Sequence, residues 1–377
     1  MFRDAYRSFL AAEVAPRMPE FREAGIVDRE IFKKAGDLGF LMIWPDEKYG
    51  GMGDLDFRFE QVIIEETMRA RCGAWYNTLH SRLVGPYLDR YGTEEQKKRF
   101  LPGCVSGKKI LAIAMTEPDA GSDLAGMRTT AKNEGDHFLL NGSKTFISNG
   151  INADYVIVAA KLDGAASRHA MVLLVVERGM EGFERGANLE KMGLKAQDTA
   201  ELFFNNVKVS KGNVLGEPGE GFKYLMHNLA EERLILATSA IAQARKAFDV
   251  TRAFCLERKV FGAPLAEQQN TQFRMAEMDA EIEMAQCYVD HCVAAHNEGA
   301  LTSTMAAKAK LLSTEIEWKM VDLGVQLHGG AGYMTEYEIS EIFTDARVDR
   351  IYAGTSEIMK RIIGRDLFSQ SYKSILD

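Results

Sequence analysis

The chain has 377 residues, of which 46% are hydrophobic and 27% charged, and its formal net charge is −8. This length predicts two or three structural units, and the composition excludes a largely disordered protein. The acidic balance and the lack of a long basic block argue against a nucleic-acid or anionic-membrane surface, but they allow a local basic patch for an anionic cofactor. No apolar run approaches the roughly 18 residues that would span a bilayer.

The cysteines and histidines give no sign of a disulfide framework or a metal site. Five scattered cysteines form no C-x-x-C motif, which predicts a reducing compartment, and the seven histidines lack metal-ligand spacing. Residues 1–21 interleave charged and apolar positions, which predicts an amphipathic helix and not a secretion signal. A bacterial cytoplasm is therefore expected, or the mitochondrial matrix for a processed eukaryotic protein.

The hydrophobic period changes twice along the chain. Residues 28–38 and 57–68 have the three- and four-residue spacing of amphipathic helices. From residue 110 onward, short runs of branched and aromatic residues predict strands over 110–115, 138–140, 155–160, 171–176 and 202–209. Helical periods return over 222–256, 272–300, 303–326 and 358–368. The sequence therefore predicts a mainly α fold with a middle β domain: an N-terminal α-helical domain (1–109), a small β-barrel or sandwich (110–218) and a C-terminal four-helix bundle (219–377).

Two motifs in the β region carry polar and aromatic groups. Ala114–Asp123 leaves a strand and enters a loop of hydroxyls and exposed backbone, which could bind a polar ring system or a phosphate, or form an ordinary turn. In Asn141–Gly150, the Asn-Gly pair predicts a hairpin turn. Phe146 either stacks on a planar cofactor or belongs to the core. No G-x-G-x-x-G or P-loop spacing is present.

Two further motifs lie in the helical region. Gln326–Tyr333 has three glycines within four residues after a long helix, which suits a helix end followed by a close backbone approach, or a simple connection. In Ile351–Ile358, Thr355 or Ser356 can cap the next helix, and Glu357 falls in its first turn. A helix N-terminus also binds phosphate, although capping alone explains these residues.

Taken in order, these motifs resemble the acyl-CoA dehydrogenase family. AMTEPDAGSD at Ala114 and QLHGGAGY at Gln326 are similar to its two signatures, and Arg258–Gly262 with Gln268–Gln269 is similar to its FAD-pyrophosphate arginine and partner glutamine. The resemblance covers essentially the whole chain and is greatest to the long-chain members. It implies FAD as cofactor and dehydrogenation of an acyl-CoA to a trans-2-enoyl-CoA. It also implies a homotetramer and an electron-transferring flavoprotein as acceptor.

The resemblance also implies two groups of FAD-contacting residues. Those of the main site are Ile113, Ala114, Met115, Thr116, Gly121, Ser122, Phe146, Ile147, Ser148, Thr355, Ser356 and Glu357. Those completed by a neighbouring subunit are Arg258, Phe261, Gln269, Gln326, Leu327, His328, Gly329 and Gly330. The residues implied to lie near the acyl-CoA are Ser122, His169, Lys223, Glu231, Arg233, Ala353 and Gly354.

One departure from the family pattern bears on the catalytic base. Many members place the catalytic glutamate just before the Gly-Thr of the fourth motif, where this chain has Ala353. Members similar to the long-chain and isovaleryl enzymes carry it before an Arg-Leu pair on a bundle helix, which here gives Glu232. A Glu-Glu-Arg sequence is most often a solvated helix face, but the missing carboxylate at Ala353 and the motif match favour Glu232. The chemistry requires a base of raised pKa, which an apolar pocket supplies.

A second departure concerns the substrate. Lys223 stands where the similar long-chain member has an aromatic residue near the substrate, so a branched or terpenoid acyl chain remains an alternative. An acyl-CoA oxidase and a non-catalytic relative that binds FAD or acyl-CoA are further alternatives.

Overall fold

A computed structural model describes residues 1–370. They fall into two compact units. The first contains Met1–Glu60, Cys72–Lys191 and Lys195–Asn228, and the second contains Gln61–Arg71, Met192–Leu194 and the chain from Leu229 onward. No helix in the described part of the chain is both long and apolar enough to cross a bilayer.

The first hundred residues are helical, as predicted. Their helices are α1 (Phe2–Phe9), α2 (Met18–Ala24), α3 (Arg29–Asp37), α4 (Phe57–Arg69), α5 (Gly85–Tyr91) and α6 (Glu94–Val105). The single helix predicted over residues 1–21 is only partly correct, because α1 ends before Pro16 and α2 begins beside Pro19. α6 begins at a capping box, in which Thr93 and Gln96 each accept a hydrogen bond from the other's backbone N–H.

The middle region forms one eight-stranded sheet. Its strands are β1 (Leu111–Ala114), β2 (Thr130–Asn133), β3 (His137–Ser148), β4 (Tyr155–Leu162), β5 (Met171–Glu177), β6 (Phe183–Asn188), β7 (Thr199–Ser210) and β8 (Val214–Gly219). The order is β6-β7-β3-β2-β4-β5-β8, and β1 pairs in parallel with β4. Alternate residues of β3, β4, β5 and β7 build the core of the sheet.

The hairpin predicted at Asn141–Gly142 is wrong. Both residues lie inside β3, whose pairing with β7 shifts register between Leu140 and Gly142. Gly142 has φ 143°, and a Cβ there would lie 2.5 Å from Thr129 Oγ1. The Asn-Gly pair therefore marks a β-bulge that needs the small residue.

After β8 the chain is again helical. Its elements are α7 (Gly221–Glu257), the short strands β9 (Lys259–Val260) and β10 (Ala263–Pro264), α8 (Gln269–Asn297), α9 (Ser303–His328), α10 (Glu338–Ala346) and α11 (Ser356–Leu367). The four predicted bundle helices correspond to α7, α8, α9 and α11, whereas α10 was not predicted. α7 begins in the first unit and continues into the second.

Candidate active site

The first group of predicted site residues lies in the β domain of the first unit. β1 ends at Ala114, and the following loop is joined to β3 by a hydrogen bond from the Thr145 N–H to the Thr116 carbonyl of 2.9 Å. Phe146 lies beside that bond at a second register shift, with φ 58° and 68% of its surface exposed. The core alternative for Phe146 is therefore wrong, and its ring is available to a ligand.

A buried ion pair supports this loop. Lys144 is fully buried, and its ammonium donates to Glu117 Oε1 at 2.8 Å and to the Met115 carbonyl at 3.0 Å. Glu117 also accepts hydrogen bonds from the backbone N–H groups of Arg128 and Thr129. Burial alone would raise the pKa of Glu117, but the Lys144 charge and these bonds outweigh it and hold that pKa below the ordinary value. The loop is thus fixed from inside the sheet.

The predicted CoA-side residues of this unit lie among charged surface groups. Asp123, next to Ser122, accepts a 2.6 Å hydrogen bond from Arg168. The adjacent His169 packs its ring on Phe222, with centroids 4.5 Å apart. These contacts bring Ser122 and His169 onto one exposed surface of the first unit.

The predicted catalytic base, Glu232, lies in the helical unit. Its side chain is buried, with 3% of the residue surface exposed. Its neighbours on α7 are buried as well: Glu231 Oε2 lies 3.6 Å from His296 Nε2, and Arg233 donates to the Ser303 hydroxyl at 3.2 Å. The solvated-face interpretation of this Glu-Glu-Arg sequence is therefore wrong. Burial lowers the pKa of Arg233, and the charge of Glu232 opposes that shift.

The turn at Ala353–Gly354 lies in the same unit. Both residues are left-handed, with φ 48° and 100°, and Gly354 accepts a 2.7 Å hydrogen bond from Lys310 on α9. The pKa of Lys310 is lowered to about 8, chiefly by burial; the charge of Asp349 opposes this shift and the positive charge of Arg233 contributes to it. Arg233, which directly follows Glu232, therefore lies near the lysine that contacts the turn.

The start of α11 follows this turn. The Thr355 hydroxyl caps the helix by accepting a hydrogen bond from the Ile358 N–H at 3.3 Å, as predicted. Ser356 is buried, and its hydroxyl donates to Glu315 at 2.7 Å. Glu357 is exposed in the first turn. Of the three residues, Ser356 is thus already engaged inside the protein.

The remaining predicted cofactor residues lie at the other end of α7. Arg258 and Gln269 are exposed, and Phe261 is fully exposed with φ 50°. The His328 ring stacks on Phe254 with centroids 4.1 Å apart, which places the end of α9 beside the end of α7. The helix from Glu232 to its last residue spans about 38 Å, so one chain does not bring these residues to the buried glutamate.

Two features of the site carry no clear signal in the sequence. The buried role of Lys144 is hidden because alternation along a strand does not distinguish a paired lysine from an exposed one. Lys310 lies in a helix where a lysine normally indicates a solvated position. The Arg-Leu pair after Glu232 and the absence of a carboxylate at Ala353 draw attention to this part of the helical unit, but neither points to Lys310.

The fold and these features define a class of enzyme with helical, β-sheet and helical domains in that order and a buried carboxylate on its longest helix. Models of the N-terminal, middle and C-terminal domains of acyl-CoA dehydrogenase match residues 1–108, 112–207 and 219–368. The chain belongs to the acyl-CoA dehydrogenase family and is an oxidoreductase. The predicted resemblance and fold class are confirmed.

Three relatives illustrate the similarity. The mitochondrial long-chain specific acyl-CoA dehydrogenase of Mus musculus is 45% identical over 98% of this chain and 86% of its own length. An acyl-CoA dehydrogenase from Geobacillus kaustophilus is 47% identical, with a TM-score of 0.96 over 98% of this chain and 97% of that one. An acyl-CoA dehydrogenase from Bacillus anthracis, solved in complex with FAD, is 31% identical, with a TM-score of 0.91 over 97% of this chain and 67% of that one. FAD is the cofactor of this family.

Proposed function

We propose that this enzyme uses FAD to oxidise a fatty acyl-CoA to its trans-2-enoyl-CoA, with Glu232 as the base that removes the α-proton. The observation that carries the proposal is the burial of Glu232 in a unit where Ala353 occupies the alternative position of the base. A carboxylate withdrawn from water is a stronger base towards a carbon acid than a solvated one.

The residues of the β domain fit the cofactor. An exposed ring at Phe146 can pack on a planar group, and the neighbouring loop supplies backbone N–H groups and the hydroxyls of Thr116 and Ser122. We assign Ile113–Thr116, Gly121, Ser122 and Phe146–Ser148 of the first unit to FAD binding. The resemblance to the family assigns Thr355–Glu357 of the second unit to FAD binding as well. When bound, FAD supplies the acceptor for the hydride that leaves the β-carbon.

The protein's own residues carry the proton transfer. The Glu232 carboxylate takes the proton from the α-carbon, the electron pair left on that carbon forms the new α–β double bond, and the β-hydrogen departs as hydride. The Ala353 N–H donates a hydrogen bond to the thioester carbonyl, where negative charge develops. One such donor is worth roughly 10²–10³ in rate in comparable oxyanion sites.

The FAD-contacting residues that were predicted to be completed by a neighbouring subunit support assembly into a homotetramer. Arg258, Phe261 and Gln269 are exposed beyond the far end of α7 from Glu232, and this end of the helix meets the end of α9 through Phe254 and His328. A guanidinium and open backbone suit a diphosphate. We therefore assign this group to the FAD of a neighbouring subunit.

The substrate is proposed to be a long-chain acyl-CoA, on the basis of 45% identity to a long-chain specific relative. Ser122 and His169 are assigned to the CoA side, and Glu231, Arg233 and Gly354 to the surroundings of the acyl group. Lys223 pairs with Glu220 at 3.2 Å and is exposed. Assays across a panel of acyl chains test whether this lysine changes the chain preference.

An electron-transferring flavoprotein is the proposed acceptor of the electrons, in a bacterial cytoplasm or a mitochondrial matrix. The proposed domains are 1–109, 110–218 and 219–377.

Anaerobic titration of the purified yellow protein tests the proposal. A panel of straight-chain acyl-CoAs from short to long, with branched and terpenoid thioesters, is added while flavin absorbance is followed. We expect bleaching, with the highest kcat/KM for a long straight chain. Hydrogen peroxide formed at each turnover in air would indicate an oxidase, and an unbleached flavin with every thioester would contradict the dehydrogenase proposal.

A further inference from the structure

The turn that carries Ala353 is held by a charged group from another helix. Lys310 lies on α9 with no exposed surface, and its ammonium donates to the Gly354 carbonyl at 2.7 Å. Because a charge-assisted hydrogen bond is roughly twice as strong as a neutral one, this contact fixes the carbonyl firmly.

The turn needs such a restraint because its backbone is unfavourable. Ala353 has φ 48°, a left-handed conformation that an alanine rarely adopts, and Gly354 follows with φ 100°. A strained conformation persists only where its surroundings enforce it. On the other side of the turn, the Tyr352 hydroxyl donates to the buried Asp349. The residues on either side of Ala353 are therefore each tied to another part of the helical unit, Tyr352 through its side chain and Gly354 through its carbonyl.

The charges around Lys310 show that it is not an ordinary surface lysine. Burial lowers its pKa to about 8, Asp349 opposes that shift, Arg233 adds to it, and Glu317 and Glu315 oppose it. Burial also raises the pKa of Asp349 to about 6. Burying an ammonium group costs free energy. At a position that serves only packing, an apolar side chain of similar volume is often as stable or more stable. The hydrogen bond from Lys310 to the Gly354 carbonyl is an interaction that an apolar side chain could not make.

We propose that Lys310 is a positioning residue for the dehydrogenation: by holding the Gly354 carbonyl, it aims the Ala353 N–H at the thioester carbonyl. This inference rests on the proposed function. Lys310 touches no reacting atom and acts only through the turn.

The variant Lys310→Met removes the donor and keeps most of the volume. A displacement of about 1 Å at a reacting group can cost about 100-fold in rate, so we expect kcat per bound flavin to fall by about 100-fold. Binding of the enoyl-CoA product should change by only a few-fold, because the turn contributes mainly where negative charge develops. The matched control is Lys319→Met on the same helix, since Lys319 is exposed and pairs with Glu281 at 2.9 Å. The control should keep wild-type turnover.

A spectroscopic measurement separates positioning from loss of stability. A 3-thiaacyl-CoA has an acidic α-proton, and its bound enolate absorbs at long wavelength next to an oxidised flavin. In Lys310→Met the bound analogue should be about 100-fold less acidic than in the wild type, and in Lys319→Met it should be unchanged. Lys310→Gln, which can still donate to the turn, should recover part of the loss and replaces the methionine variant if that protein does not fold.

The outcomes are distinct. Unchanged turnover per bound flavin and unchanged acidity of the analogue in Lys310→Met, in a preparation whose wild type is active, would overturn the role of Lys310. Equal losses in the Met and Gln variants, accompanied only by lower stability, would also overturn it. Failure of the wild type to bleach with any acyl-CoA would instead contradict the proposed function itself.

Discussion

Replacement of Lys144 tests whether the loop after β1 depends on an internal ion pair. Burial lowers the pKa of Lys144 to about 8, and its contact with Glu117 opposes that shift. In Lys144→Met the Glu117 carboxylate would stay buried without its cationic partner, while the N–H groups of Arg128 and Thr129 still donate to it. Removing one partner of a buried pair in this way costs about 3–5 kcal/mol.

The matched control lies in the same sheet. Lys132 on β2 pairs with Glu134 at 2.7 Å, but this pair is exposed to solvent. Exposed ion pairs contribute little to stability, so Lys132→Met should melt close to the wild type. Lys144→Met should melt several degrees lower.

The assay is thermal unfolding, followed by a titration with FAD. Because Lys144 also holds the Met115 carbonyl, we expect its replacement to weaken FAD binding as well as stability. Adding Glu117→Gln should restore part of the lost stability, since it removes the unpaired buried charge. Equal melting temperatures and equal FAD affinities for Lys144→Met and Lys132→Met would refute this reasoning.

Two further predictions concern the first unit. His80 is fully buried. Its Nε2 donates to the Cys104 carbonyl at 3.0 Å, and its Nδ1 accepts from the Leu111 N–H at 3.1 Å. Burial lowers the pKa of His80 to about 4. Between pH 6.5 and 4 only the unfolded chain binds this proton, so the free energy of unfolding should fall by about 3 kcal/mol as the pH drops through that range. The melting temperature of His80→Gln should therefore fall less steeply with decreasing pH than that of the wild type. Equal dependence of the two melting temperatures on pH would contradict the buried neutral state of His80. Gly142→Ala should destabilise the protein by about 1–3 kcal/mol more than Gly135→Ala, as measured by thermal unfolding. Both glycines have positive φ, but only a Cβ at Gly142 would meet other atoms. Equal losses of stability would contradict the need for a small residue at the β-bulge.

The fold was predictable where one period dominates a long segment. The helical period over 222–256 and 303–326 matches α7 and α9 closely, because each helix buries a face along most of its length. β6, with the sequence FERGAN, was missed because it has little of the composition of a strand and forms only beside β7. The Asn-Gly error at residue 141 has the same origin, since the pairing of β3 with β7 overrides the local turn preference.

The candidate site was predictable only through motifs. The Arg-Leu pair and the missing carboxylate at Ala353 drew attention to Glu232, and the structure shows that side chain buried. Lys310 could not be found from the sequence, because its burial depends on α9 packing near a turn more than forty residues later in the chain. Long-range contacts of single polar residues leave no periodic signal.

Glu232 is the central residue of the proposed mechanism, and single-turnover flavin reduction tests its role as the base directly. Glu232→Gln keeps the shape of the side chain and removes its basicity. We predict that this variant retains FAD and binds acyl-CoA with near wild-type affinity, while anaerobic bleaching slows by several orders of magnitude. Introducing Ala353→Glu into a Glu232→Gly background should restore part of the rate. Bleaching of Glu232→Gln at close to the wild-type rate would contradict the mechanism.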